Sequence, residues 1–142
     1  MKKSLFRFSA DRGGVAAVEF AIVLPVFLVL MLGILAYGIY FGATHSLAQL
    51  AADAARASVA GLSDAERQRI VAAHIASASG DYAMIDASKV VVEAGPMPGL
   101  GEHFRVVVRY DATDLPIWQL EPFLPLPGKT IERSAVVMRG GY

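Results

Sequence analysis

Apolar and polar positions divide the chain into two unlike parts. From Phe20 to Ala43 runs FAIVLPVFLVLMLGILAYGIYFGA, 24 residues without a formal charge. As a helix rising 1.5 Å per residue it measures about 36 Å, enough to cross a hydrocarbon core of about 30 Å. A core helix of a soluble domain rarely holds so long an uncharged run. Beyond it the apolar positions become periodic. Leu47, Leu50, Ala51, Ala54, Ala55, Ser58 and Val59 recur at helical spacing, as one face of a packed helix does. The pattern predicts one helix from about Val15 to Val59, its first half in lipid and its second half under a globular head. Gly61 is a credible stop.

The head reads as α+β. Ser63-Asp64-Ala65-Glu66 has the form of a capping box, which predicts a second helix from about Asp64 to Ser79. Its apolar stripe is Ile70, Val71, His74, Ile75 and Ala78, with His74 a packed or edge residue rather than a ligand. Three extended segments follow, at 89–94, 104–110 and 130–138. In the second, Phe104, Val106, Val108 and Tyr110 alternate with Arg105, Val107 and Arg109, the pattern of a half-buried strand. The glycine- and proline-rich stretch 95–101 predicts an antiparallel turn between the first two. Four prolines, at 116, 122, 125 and 127, make 114–128 an irregular apolar loop, which either covers the sheet or forms a subunit contact. The expected fold is a long N-terminal transmembrane helix continuing into a small head with one more helix and a three-stranded antiparallel sheet. Its divisions are a leader at 1–14, the helix at 15–61 and the head at 62–142.

Charge sets the direction of the helix. Lys2, Lys3, Arg7 and Arg12 precede the apolar run against one acid, Asp11. The positive-inside rule therefore keeps the leader in the cytoplasm and sends the head across. Tyr37, Tyr40 and Phe41 fall at the exit end, where an aromatic belt belongs. The apolar core is too long for a removable secretory signal, and no convincing small-residue cleavage site follows it. With 13 basic and 13 acidic residues there is no global basic field, so nucleic acid is not an expected partner. The absence of cysteine excludes a disulfide framework and a thiolate metal site.

No catalytic or metal constellation emerges. His45, His74 and His103 lack metal-ligand spacing. Gly128-Lys129-Thr130 ends like a phosphate-binding loop, but Phe123 occupies the position its first glycine needs. Neither an enzymatic activity nor a cofactor is expected.

One acid, Glu19, stands at the cytoplasmic entry of the apolar helix. The local sequence is Arg12-Gly13-Gly14-Val15-Ala16-Ala17-Val18-Glu19-Phe20, with Pro25 shortly after. It resembles the processing site of type IV prepilins. More closely, it resembles the TadE-like pseudopilins of Tad (Flp) pilus systems, whose motif is glycine, four residues, glutamate and an aromatic. The resemblance runs from Arg12 to about Arg56, and beyond that only the general shape is similar. It implies a cut between Gly14 and Val15 by a membrane prepilin peptidase. The cut would leave a protonated α-amine on Val15. In a packed assembly Glu19 of one subunit would neutralise the amine of a neighbour, since a paired charge in lipid costs far less than a lone one.

The implied partners are inner-membrane lipid, the peptidase and other Tad pilins, met through Glu19, Phe20, Pro25, Gly38 and Gly42. Gly38-x-x-x-Gly42 permits close helix approach. Major Tad pilins are little more than a helix, so the head implies a minor pilin of the bacterial inner membrane, its head periplasmic. The competing expectation is a membrane-anchored accessory protein that keeps its leader and binds a partner through its head.

Overall fold

The structure is a computed structural model and describes residues 12–82 and 84–138. Most of the leader, residues 1–11, lies outside the described residues. Helix α1 spans Arg12–Ser58 without interruption, Pro25 included. It is long and apolar enough to cross a membrane. Helix α2 spans Asp64–Ala78. Strands β1 (Val90–Pro96), β2 (His103–Asp111) and β3 (Thr130–Met138) form an antiparallel meander in the order β1-β2-β3. The fold is α+β, one long apolar helix with a second helix and a three-stranded sheet.

Each element follows from local chemistry. Ser63 caps α2 by accepting the Glu66 N–H at 3.2 Å, while the Glu66 carboxylate accepts the Leu62 N–H at 2.9 Å. The first bond satisfies a donor that a helix start leaves open, and the second ties down the residue before the cap, one position earlier than a capping box places it. The β1–β2 turn closes with Gly99 at φ +81°, a left-handed conformation that glycine adopts without steric penalty. The pairing places Val92 opposite Val108 and Val106 opposite Ala135.

The alternation in β2 sorts its side chains as expected. Phe104, Val106, Val108 and Tyr110 enter the core. On the outer face Arg109 reaches Glu93 at 2.5 Å and Glu132 at 2.6 Å, tying all three strands. Helix α1 lies across β2 and β3, while α2 fits between α1 and β1. Gln68 of α2 donates to the Ala94 carbonyl of β1 at 3.0 Å.

Alanine lets the helix sit close. Ala43, Leu47, Leu50, Ala51, Ala54, Ala55 and Ser58 are fully buried on one face of α1. The Ser58 hydroxyl donates to the Ala55 carbonyl at 2.7 Å, which satisfies a polar group in a dry place. Val59 lies past the helix end and is exposed, so the stripe stops one residue earlier than its periodicity predicts. On α2 the buried residues are Arg67, Val71 and Ile75. Arg67 joins this face because its stem packs along apolar surface and its Nε donates to the Gly61 carbonyl at 2.9 Å.

Candidate functional site

The residues marked by sequence lie along α1, which presents two environments. From 13 through 32 every position is exposed, whichever way it points. At 1.5 Å per residue these twenty residues measure about 30 Å, the thickness of a hydrocarbon core. From Gly33 onward one side is covered by the chain's own head, and Ala36 is the first fully buried residue. The apolar run Phe20–Ala43 is therefore not uniformly bare.

Gly14 and Val15 lie in the first turns of α1, and Val15 is exposed. A Cβ added at Gly14 would meet nothing within 4 Å, so packing within the chain does not require glycine there. Glu19 and Phe20 follow on the bare segment, and Glu19 is the one formal charge between 13 and 32. Among the described residues no ion pair forms to Glu19. Pro25 sits within the helix and lacks the N–H that would bond four residues back, to the Ala21 carbonyl.

The two glycines of the close-approach motif have different surroundings. Gly38 faces open space. A Cβ at Gly42 would lie 2.9 Å from the Met84 sulfur of the same chain. Met84 reaches that position from a left-handed backbone, φ +66°, which is uncommon for a side chain of its kind. Gly38 is thus open to a neighbouring helix, while Gly42 is already in contact with the head.

The aromatic group has a role that the sequence did not disclose. The Tyr37 hydroxyl donates to the Pro125 carbonyl, and the Tyr40 hydroxyl donates to the Gly128 carbonyl at 3.3 Å. Phe41 stays exposed beside them, its ring centroid 6.0 Å from that of Tyr37. The tyrosines hold the proline-rich loop against α1. Its first part winds into a 3₁₀ turn, Pro116–Leu120, with proline at the start, where its missing N–H matters least. Ile117 plugs the core, and the Trp118 indole N–H donates to the Ala112 carbonyl at 2.7 Å. The loop then runs along α1. Leu124 contacts Gly33, and Leu120 and Phe123 lie beside Pro25, Leu28, Val29 and Leu32. It lies against the apolar N-terminal half of α1. Trp118, Phe123 and Leu124 are the apolar residues that the sequence pairs with the prolines of 114–128, while Leu120 was not singled out.

Further along α1, Asp53 accepts a hydrogen bond from the Tyr82 hydroxyl and pairs with Arg56. The Tyr82 bond foremost, against some desolvation and helped by Arg56, holds the Asp53 carboxyl below its usual range. The same bond, with burial added, pushes the Tyr82 phenol up to about 12. This cluster fastens the residues after α2 to α1 and contains no nucleophile poised beside a base.

Residues 14–56 match the family model described as TadE-like protein. The match begins at Gly14 and ends in the last turn of α1, leaving the head outside it. No curated protein and no solved structure matches the chain.

Proposed function

We propose that this TadE-like chain, a Tad pilus-associated protein, is a minor pilin of a Tad (Flp) type IV pilus that takes part in priming, tipping or building the filament. One coincidence carries the reading. The family match over 14–56 falls on α1, whose bare segment is one bilayer long and holds a single charge at the motif glutamate. The head is a structural and interaction module, with no catalytic role.

In this reading the basic leader stays in the cytoplasm and the head is periplasmic. Prepilin peptidase cuts between Gly14 and Val15. Gly13 and Gly14 each favour the helix less than alanine by about 1 kcal/mol, so the first turn of α1 opens readily to a protease. The new amine of one subunit then pairs with Glu19 of the next, which lowers the cost of both charges in lipid. Pro25 loosens the helix where it must readjust on leaving the bilayer, and Gly38 admits a neighbouring helix.

N-terminal sequencing and intact mass of the mature protein test the first step. A chain beginning at Val15 is expected, and one beginning at Met1 overturns the reading. Glu19→Ala should abolish or strongly reduce pilus assembly in cells while leaving the thermal melt of the head unchanged. Normal assembly by that variant sinks the pairing role.

A further inference from the structure

We infer that the tip of the proline-rich loop, residues 120–124, is inserted into the bilayer leaflet on the head's side, next to α1. The inference rests on α1 crossing the membrane, the premise of the proposed function.

Depth is the first ground. Arg12 bounds the apolar segment, so the crossing nearest the N-terminus uses residues 13–32. Phe123 and Leu120 lie beside Pro25, Leu28, Val29 and Leu32, within that window. From Leu32 back to Pro25 is about 10 Å of helix, close to the depth at which interfacial apolar groups settle. Any crossing placed later along α1 carries the tip deeper. The loop cannot swing clear without losing the Tyr37 and Tyr40 hydrogen bonds and the Leu124 contact with Gly33.

Backbone chemistry is the second ground. Lipid penalises unpaired backbone N–H and C=O groups alike, and in the tip it is the donors that are all paired, while the carbonyls of 121–124 have no partner among the described residues. In the tip, Glu121 N–H bonds the Trp118 carbonyl at 3.2 Å, and Phe123 and Leu124 N–H groups both bond the Leu120 carbonyl at 2.9 Å. Pro122 and Pro125 have no N–H. Residues 121–125 therefore offer no free backbone donor, and the Pro125 carbonyl is taken by Tyr37.

Side chains agree. Phe123 is 70% exposed, a large apolar ring left mostly uncovered and continuous with the lipid-facing side of α1. One charge, Glu121, lies within the tip; it meets Lys129 at 3.3 Å, and that ammonium lies 5.3 Å from the Trp118 ring centroid. A paired carboxylate, a lysine and an indole together suit the headgroup level, above the apolar side chains of Leu120, Phe123 and Leu124.

The chain has no cysteine, so a single introduced one carries a unique label. The full chain is reconstituted in phosphatidylcholine–phosphatidylglycerol vesicles with the fluorophore NBD at Phe123→Cys, Leu24→Cys or Glu102→Cys. Leu24 reports the span, and Glu102 reports the turn at the opposite end of β2. Nitroxide-labelled lipid should quench Phe123→Cys nearly as well as Leu24→Cys. Aqueous dithionite should reduce it several-fold more slowly than Glu102→Cys. Leu120→Cys repeats the measurement should the first variant fold poorly.

A tip label reduced as fast as Glu102→Cys and untouched by lipid nitroxide places the loop in water and overturns the inference. A label shielded from both quenchers is covered by protein and overturns it equally. Failure of Leu24→Cys to be quenched removes the membrane crossing itself, and the proposed function with it. A quenched Leu24→Cys beside an unquenched tip removes only the loop insertion.

Discussion

The two halves of α1 have unlike surroundings, the first exposed on every side and the second packed on one side against the head. Between 13 and 32 it is apolar on every side, with Val18, Ile22, Val26 and Leu30 as exposed as their neighbours. From 44 to 58 it is apolar on one side only, and between these stretches 33–43 is covered on one side while Ile34, Leu35 and Phe41 stay exposed on the other. Leu47, Leu50, Ala54 and Ala55 face the sheet, while His45, Gln49 and Arg56 face outward. A helix apolar all round belongs in lipid, and a one-sided stripe belongs on a protein core. The contrast also shows in side-chain size. The covered half is rich in alanine, which lets the backbone approach β2 and β3. The bare half is rich in Val, Ile, Leu and Phe, which need no close partner.

The largest test of this contrast is a matched pair of truncations. Leu50→Ala removes a fully buried side chain from the core and should cost the head about 2–5 kcal/mol. Leu24→Ala removes the same atoms from a part of the bare half that the loop does not reach and should leave the head's unfolding unchanged. Urea unfolding in detergent micelles, followed by the fluorescence of Trp118, checks both. Equal effects would break the division of the helix.

A smaller effect lies at the boundary. Tyr37→Phe removes the donor to the Pro125 carbonyl and should cost about 0.5–1.5 kcal/mol, more if the carbonyl is left in lipid. Faster hydrogen exchange at Phe123 and Leu124, with β2 unaffected, would localise that loss to the loop. Exchange rising throughout the head would mean that the loop is part of the core.

The smallest effect is confined to the extremes of pH. Asp53 is held below its usual range, so its contribution is present above about pH 4 and is lost as pH falls through the lowered value. Tyr82 is pushed up to about 12. Its contribution is complete below about pH 10, the ordinary tyrosine value, and disappears as pH rises toward the folded value. The stability difference between wild type and Tyr82→Phe should therefore be flat near neutrality and shrink at both ends. A difference that grows in acid or in base would remove the Asp53–Tyr82 bond from the account.

Much of the fold was legible because its signals are local. The Leu47–Ser58 stripe, the Ser63 cap and the alternation from Phe104 to Tyr110 each report a period set by the backbone within a few residues. Less of the candidate site was legible. Glu19, Gly14 and Pro25 stand out because they break the pattern around them. Nothing local separates Gly38 from Gly42, yet only Gly42 meets Met84. Tyr37 and Tyr40 suit an interfacial belt on composition, and their hydroxyl partners lie 88 residues away in the chain.

The sequence by itself determined that one helix is fit to cross a membrane, that a small α+β head follows, and that a lone acid sits near the entry. Hydropathy, period and charge are properties of neighbouring residues, so they survive without a partner. Only the tertiary structure decided where the bare helix ends and which glycine stays open. It also decided that a loop rich in prolines runs back along α1 as far as Pro25, Leu28 and Leu32. Those outcomes depend on contacts between distant segments, and a chain read residue by residue carries no record of them.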